Sequence, residues 1–133
     1  KCSLQYAVLR PLNSGVRQQM SPFATRFPEL AATLVAELRA KGRSELADQL
    51  LTSLVVSVSF DNDANAGYVY VSAGRDLNVV ESSIIGVKHG ETIPVTATYD
   101  AYLDTDNFGR LTGVELLSPP AALKGDLRSR AAV

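Results

Sequence analysis

The chain predicts an α+β protein, with an N-terminal helical hairpin packed on an antiparallel β-meander of about five strands. Three observations carry this. Apolar residues recur at helical spacing over residues 27–53, the period changes to two at Leu54 and holds to residue 118, and Asp/Asn/Gly-rich turns punctuate the second part. At 133 residues, nearly half of them apolar and a fifth charged, the chain fits a single globular core.

The first helix begins at Phe27-Pro28-Glu29, where proline and an acid suit an opening turn, and Leu30, Leu34, Val35 and Leu38 follow on one face. Gly42 breaks it. Ser44 is placed to cap a second helix through Leu46, Ala47, Leu50 and Leu51, which makes an αα-hairpin whose stripes form a core face. Leu54, Val56, Val58 and Phe60 then alternate with Val55, Ser57 and Ser59 as a first strand. A turn over residues 61–66 leads into Gly67-Tyr-Val-Tyr-Val71. A turn at Ala73-Gly-Arg-Asp76 precedes a strand over residues 77–85, and Lys88-His-Gly-Glu91 turns into one long strand over residues 93–103. The last strand covers residues 110–117, and Pro119-Pro120 opens a tail over residues 119–133.

Composition excludes several function classes. Cys2 and His89 are the only cysteine and histidine, so one chain has no internal disulfide and no multi-ligand zinc cluster. Between Asp61 and Glu115 nine acidic residues face three basic ones, a poor basis for nucleic-acid binding. Arg39, Lys41, Arg43 and, in the tail, Lys124, Arg128 and Arg130 read as solvated helix ends. Apolar runs fall short of the roughly 20 residues that span a bilayer, and a cytoplasmic protein is expected with no membrane and no nucleic-acid partner.

Candidate chemistry is sparse. Asp61-x-Asp63-x-Asn65 and Asp104-x-Asp106-Asn107 invite calcium, but an EF-hand loop needs glycine and glutamate where Ala66 and Ser72 stand, so backbone-capping turns are expected. His89 reads as an exposed loop residue, Ser82-Ser83 lacks a nucleophile elbow, and no phosphate-cradling glycine loop occurs. No catalytic, cofactor-binding or metal residue is assigned. Tyr68 and Tyr70 share one strand face and Val69 and Val71 the other. The aromatic face therefore needs cover, and Tyr68 and Tyr70 are the expected interface of a homo-oligomer.

Phe60-Asp-Asn-Asp-Ala-Asn-Ala-Gly-Tyr-Val69 and the closing segment from Asp104 to Leu117 together resemble a small bacterial domain of unknown function. That family carries Tyr-Asp-x-Glu-x-Asp-Ala-Leu-Tyr-Ile at its first hairpin and Asp-x-Asp-Gly-x-Val-Gly-Ile-Glu-Ile at its last. Phe60 stands in the Tyr place, Asp61 in the Asp place, Asp63 in the Glu place and Asn65 in the second Asp place. Gly67 replaces the Leu, and Gly113-Val114-Glu115-Leu116 keeps the closing signature. The likeness covers residues 56–118, interrupted by a long stretch at residues 84–98, and implies fold alone.

Residues 1–19 show no period and run into the only methionine, Met20. Reverse translation of Gly15-Val16-Arg17-Gln18 accommodates GTTAGGC, similar to the core of the site flanking integron gene cassettes, and a Val133 codon before a stop accommodates the inverse core. An integron cassette product is expected, with a leader at 1–19 upstream of a start at Met20 and one domain at 20–133. The function expected is that of a mobile-cassette accessory protein: a non-enzymatic oligomeric binding module for a protein or small ligand, of toxin/antitoxin type among the options. The alternative is a small enzyme with a carboxylate-based site at a subunit interface, drawing on Glu81, Glu91, Asp100 and Glu115.

Overall fold

In the computed structural model, which describes residues 21–72 and 87–131, the change of period at Leu54 is where helix gives way to strand. The leader at 1–19, the turn at 73–76, Ser82-Ser83 and the strand expected over residues 77–85 lie outside the described residues. A short helix α1 (Phe23–Arg26) runs through Phe27 into α2 (Pro28–Ala40), with Pro28 and Glu29 in the opening turn as expected. Gly42, at φ 78, supplies the left-handed residue that reverses the chain into α3 (Ser44–Thr52).

Ser44 is the first helical residue rather than the cap. The carbonyl of Arg43 already accepts the Ala47 N–H at 3.1 Å, so the helix starts one residue before the serine could cap it. Leu30, Ala31, Leu34 and Leu38 of α2 bury against Leu46, Ala47 and Leu50 of α3, while Leu51 turns outward at 43% exposure.

The sheet comprises β1 (Leu54–Asp61), β2 (Ala66–Ser72), β3 (His89–Val95), β4 (Asp100–Asp106) and β5 (Leu111–Leu117), all antiparallel, in the order β1-β2-β5-β4-β3. The α+β class and the five-stranded antiparallel sheet are those expected. The order differs from a continuous meander at one seam, where β2 pairs with β5. Pro94 in β3 has no N–H to donate, which suits β3 to an edge, and β5 takes the central place. The long strand expected over residues 93–103 is two strands, β3 and β4, with a hairpin loop at residues 96–99.

A bulge between Val55 and Ser57 shifts the phase of β1. Val55 is therefore buried and Val56 exposed, the reverse of what simple alternation predicts, because one extra residue in a strand moves every later side chain to the opposite face. Beyond the bulge the inner face runs in register as Val58, Val69, Val114, Leu103 and Ile93 across the five strands, with a second row of Phe60, Gly67, Leu116, Ala101 and Val95. The helices cover this face. Each fully buried valine or leucine contributes roughly 1.5 to 3 kcal/mol of transfer free energy.

Where the sequence predicts a tail, the chain forms a further helix, α4 (Ala121–Ala131), lying along β1. Only Leu127 of α4 is buried, and it sits over Gly67: a Cβ added there would stand 2.9 Å from Leu127 Cδ1. Leu127 of α4 thus fills the space that a side chain at position 67 of β2 would take. Basic residues of α4 lie over aromatic rings, Lys124 at 6.0 Å from the Phe60 centroid and Arg130 at 5.5 Å from that of Phe27. Arg130 Nε also stands 3.2 Å from Asp126 Oδ1, an ion-pair contact without the geometry of a hydrogen bond.

Candidate functional site

The two Asp turns cap backbone. Asp61 Oδ1 accepts the N–H groups of Asp63 at 2.9 Å and Ala64 at 3.3 Å. Asp106, almost wholly shielded, accepts those of Phe108 and Arg110, both at 2.9 Å, and the Arg110 Nε–H at 2.7 Å. Among the described residues no group of three or more His, Cys, Asp or Glu side chains gathers as a metal would require. With these carboxylates engaged by the backbone, adding calcium to roughly millimolar concentration should leave the thermal midpoint unchanged. A saturable, calcium-specific rise would overturn the capping account.

Asp104 belongs elsewhere. It lies in β4 on the sheet face opposite the helices, where the register sets two rows side by side. One row reads Ser59, Tyr68, Glu115, Tyr102 and Pro94; the next reads Ser57, Tyr70, Gly113, Asp104 and Thr92. Tyr68 on β2 reaches across β5 to donate its hydroxyl to Asp104 Oδ2 on β4 at 2.7 Å. Strands are spaced about 4.8 Å apart, so the ring must lie flat over the strand between. Gly113 is what lets it: a Cβ there would overlap the Tyr68 ring.

The other oxygen of Asp104 accepts the Thr92 hydroxyl at 2.6 Å, and Thr92 Oγ1 lies 3.2 Å from His89 Nε2. His89 is exposed, as expected, but it opens β3 instead of standing in a loop. Tyr70 packs beside Tyr68 with ring centroids 4.4 Å apart and remains 47% exposed. Tyr102 donates its hydroxyl to Asp100 Oδ1 at 2.7 Å.

Burial, the hydrogen bond to Asp104 and the charges of Asp104, Tyr70 and Glu115 together push the Tyr68 phenol well above its ordinary value. In an alkaline absorbance titration Tyr68 should therefore ionise late, and Asp104→Asn should bring its transition down. A Tyr68→Phe variant with an unchanged titration curve would sink this assignment. The Tyr102 phenol is also raised, chiefly by its bond to Asp100.

Among the described residues the face is acidic and aromatic. None of the five strands contains a lysine or arginine, and Asp100, Asp104 and Glu115 all stand in the strands on this side. Glu115, half-buried between Tyr68 and Tyr102, makes no ion pair among the described residues. The described basic residues lie on the helices (Arg26, Arg39, Lys124, Arg128 and Arg130) or in the turns between elements (Lys41, Arg43, Lys88 and Arg110). Arg39 pairs with Asp48 at 2.9 Å, and Arg43 takes Glu91 in a fork at 3.0 and 3.2 Å, which holds that carboxyl below its ordinary range. Glu91 thus ties β3 to the hairpin turn, beside a polar groove of about 440 Å³ also lined by Gln49 and Gly109. Gln49 fastens the opposite wall, donating to the Gly109 carbonyl at 3.0 Å and accepting the Leu111 N–H at 2.8 Å.

The sequence-assigned pair, Tyr68 and Tyr70, thus falls together at the centre of the open face. Asp104, Thr92, Tyr102, Gly113 and Glu115 join them. Gly113 was the available signal, a glycine within an alternating strand, which marks a close approach of some other group.

The fold and this face define a small α+β protein whose antiparallel sheet is covered by helices on one side and presents tyrosines and carboxylates on the other. Compared with known proteins, the chain matches no family model, no curated protein and no solved structure. Among the described residues no helix is long and apolar enough to cross a membrane.

Proposed function

We propose that the protein is a non-enzymatic binding module that uses the open sheet face around Tyr68, Tyr70, Tyr102 and Glu115 to hold another molecule. The observation that carries this is the pair of in-register rows, which set aromatic rings and carboxylates side by side on a sheet whose five described strands contain no lysine or arginine. Aromatic side chains on a scaffold fixed by strand pairing give contact area at little entropic cost, which is the chemistry of recognition. An accessory protein of mobile-cassette type is the setting we propose.

Most of the described carboxylates around the face are already committed, Glu115 being the exception, and Glu81 lies outside the described residues. Asp104 accepts two hydroxyls, Asp100 one, and Glu91 and Asp106 are held by arginines, which supports binding over turnover. An unbiased small-molecule and peptide screen, read by amide chemical shifts, tests the reading. Hits should perturb Tyr68, Tyr70, Tyr102 and Glu115, and Tyr70→Ala should abolish them. Hits that cluster instead at the groove by Arg43 and Gln49 would overturn it.

A further inference from the structure

We infer that the occupant of the open face is a basic segment of a partner protein, presenting arginine side chains to Tyr70 and Glu115. This deepens the binding role proposed above and rests on it. Charge complementarity carries the choice. Asp100, Asp104 and Glu115 share the face, none of the five described strands contains a lysine or arginine, and the half-buried Glu115 makes no ion pair among the described residues. Asp104 and Asp100 have hydroxyl partners, which leave their negative charge in place.

Arginine suits this arrangement better than other cations. Its planar guanidinium stacks on an aromatic face while its fork of N–H groups meets a carboxylate, and here an exposed ring and an unpaired carboxylate occupy neighbouring rows. Tyr68, lying across Gly113, packs against Tyr70 from the β5 side, and the rest of the Tyr70 ring stays exposed.

A second copy of the chain fits the same surface less well. A two-fold pairing of like faces would set one acidic face carrying Glu115, Asp104 and Asp100 against another, and desolvating like charges costs several kcal/mol. Salt distinguishes the two occupants by sign. Screening weakens the hold on a basic segment, whereas it strengthens association of two acidic faces.

The test is an amide-shift titration of the full chain with a six-arginine peptide, with a six-glutamate peptide and tetramethylammonium as comparison arms. The arginine peptide should perturb Tyr68, Tyr70, Tyr102 and Glu115, lose affinity as salt rises, and bind roughly tenfold more weakly to the Tyr70→Ala and Glu115→Gln variants. Both side chains are at least partly exposed, so the fold should persist, and unchanged amide spectra elsewhere check that. Shifts confined to the helix acids Glu29, Glu45 and Asp48 would overturn the inference, as would equal binding of the glutamate peptide. Tetramethylammonium binding as tightly as the peptide would replace a protein segment with a small organic cation. If the unbiased screen finds neutral or anionic ligands on the open face while the arginine peptide does not bind, the binding role stands and this inference fails.

Discussion

Replacing Asp106 with Ala should lower stability by about 3 kcal/mol, because it strips the partner from two backbone N–H groups and from the Arg110 guanidinium in a shielded turn. The figure sits at the low end for a broken buried pair, since Arg110 keeps 30% of its side chain exposed and can be partly rehydrated. Burial by itself would raise the Asp106 carboxyl. The N–H groups of Arg110 and Phe108 and the Arg110 guanidinium outweigh it, and the group lies below its ordinary value in the folded protein.

A carboxyl depressed on folding contributes stability that is fully present above its unfolded pKa and lost as pH falls through its folded one. The gap between wild type and Asp106→Asn in urea denaturation should therefore hold at neutral pH and shrink in acid, below about pH 4. A gap that widens on acidification would show that Asp106 is protonated in the native turn.

The second large effect is expected at Leu127. Truncation to Ala removes the one buried side chain of α4 from a site that Gly67 cannot fill, at a cost of about 3 kcal/mol and a fall of roughly 10 °C in thermal midpoint. Proteolysis at Lys124 and Arg128 should accelerate as α4 detaches. Gly67→Val on its own collides with Leu127, but combined with Leu127→Ala it refills part of the cavity, so the double variant should be more stable than the sum of the singles predicts. Strict additivity would mean that the two residues do not share a space.

The helical hairpin was readable because its stripes repeat at a spacing no strand can use, and residues 30–50 bury on the face that the leucines mark. α4 was not, because one buried leucine in a helix that contains Gly125 leaves no period to detect. The hairpin at residues 96–99 hid for a different reason. Ile93 and Val95 before it and Ala101 and Leu103 after it are all odd-numbered, so the alternation continues unbroken through a turn that carries no Gly or Asn. The β1 bulge reversed a correct strand for its first residues, since period alone cannot reveal an inserted position. At the open face, Tyr68 and Tyr70 announced themselves as neighbours on one strand. Asp104, 36 residues from Tyr68, did not, because that contact depends on a strand order that sequence spacing does not encode.

Supplying the plug for Gly67 from α4 also sets a timetable for folding on the ribosome. The site opens at residue 67 and is closed by residue 127, so its last core side chain is made only after β3, β4 and β5. The hairpin of α2 and α3 and the β1-β2 ribbon emerge first, and β2 must then wait for β5, its second neighbour. Through that interval the nascent ribbon presents one unpaired edge of β2 and an apolar hollow, the kind of surface that holding chaperones recognise. Arrival of α4, rather than completion of the sheet, is thus the event that seals this site.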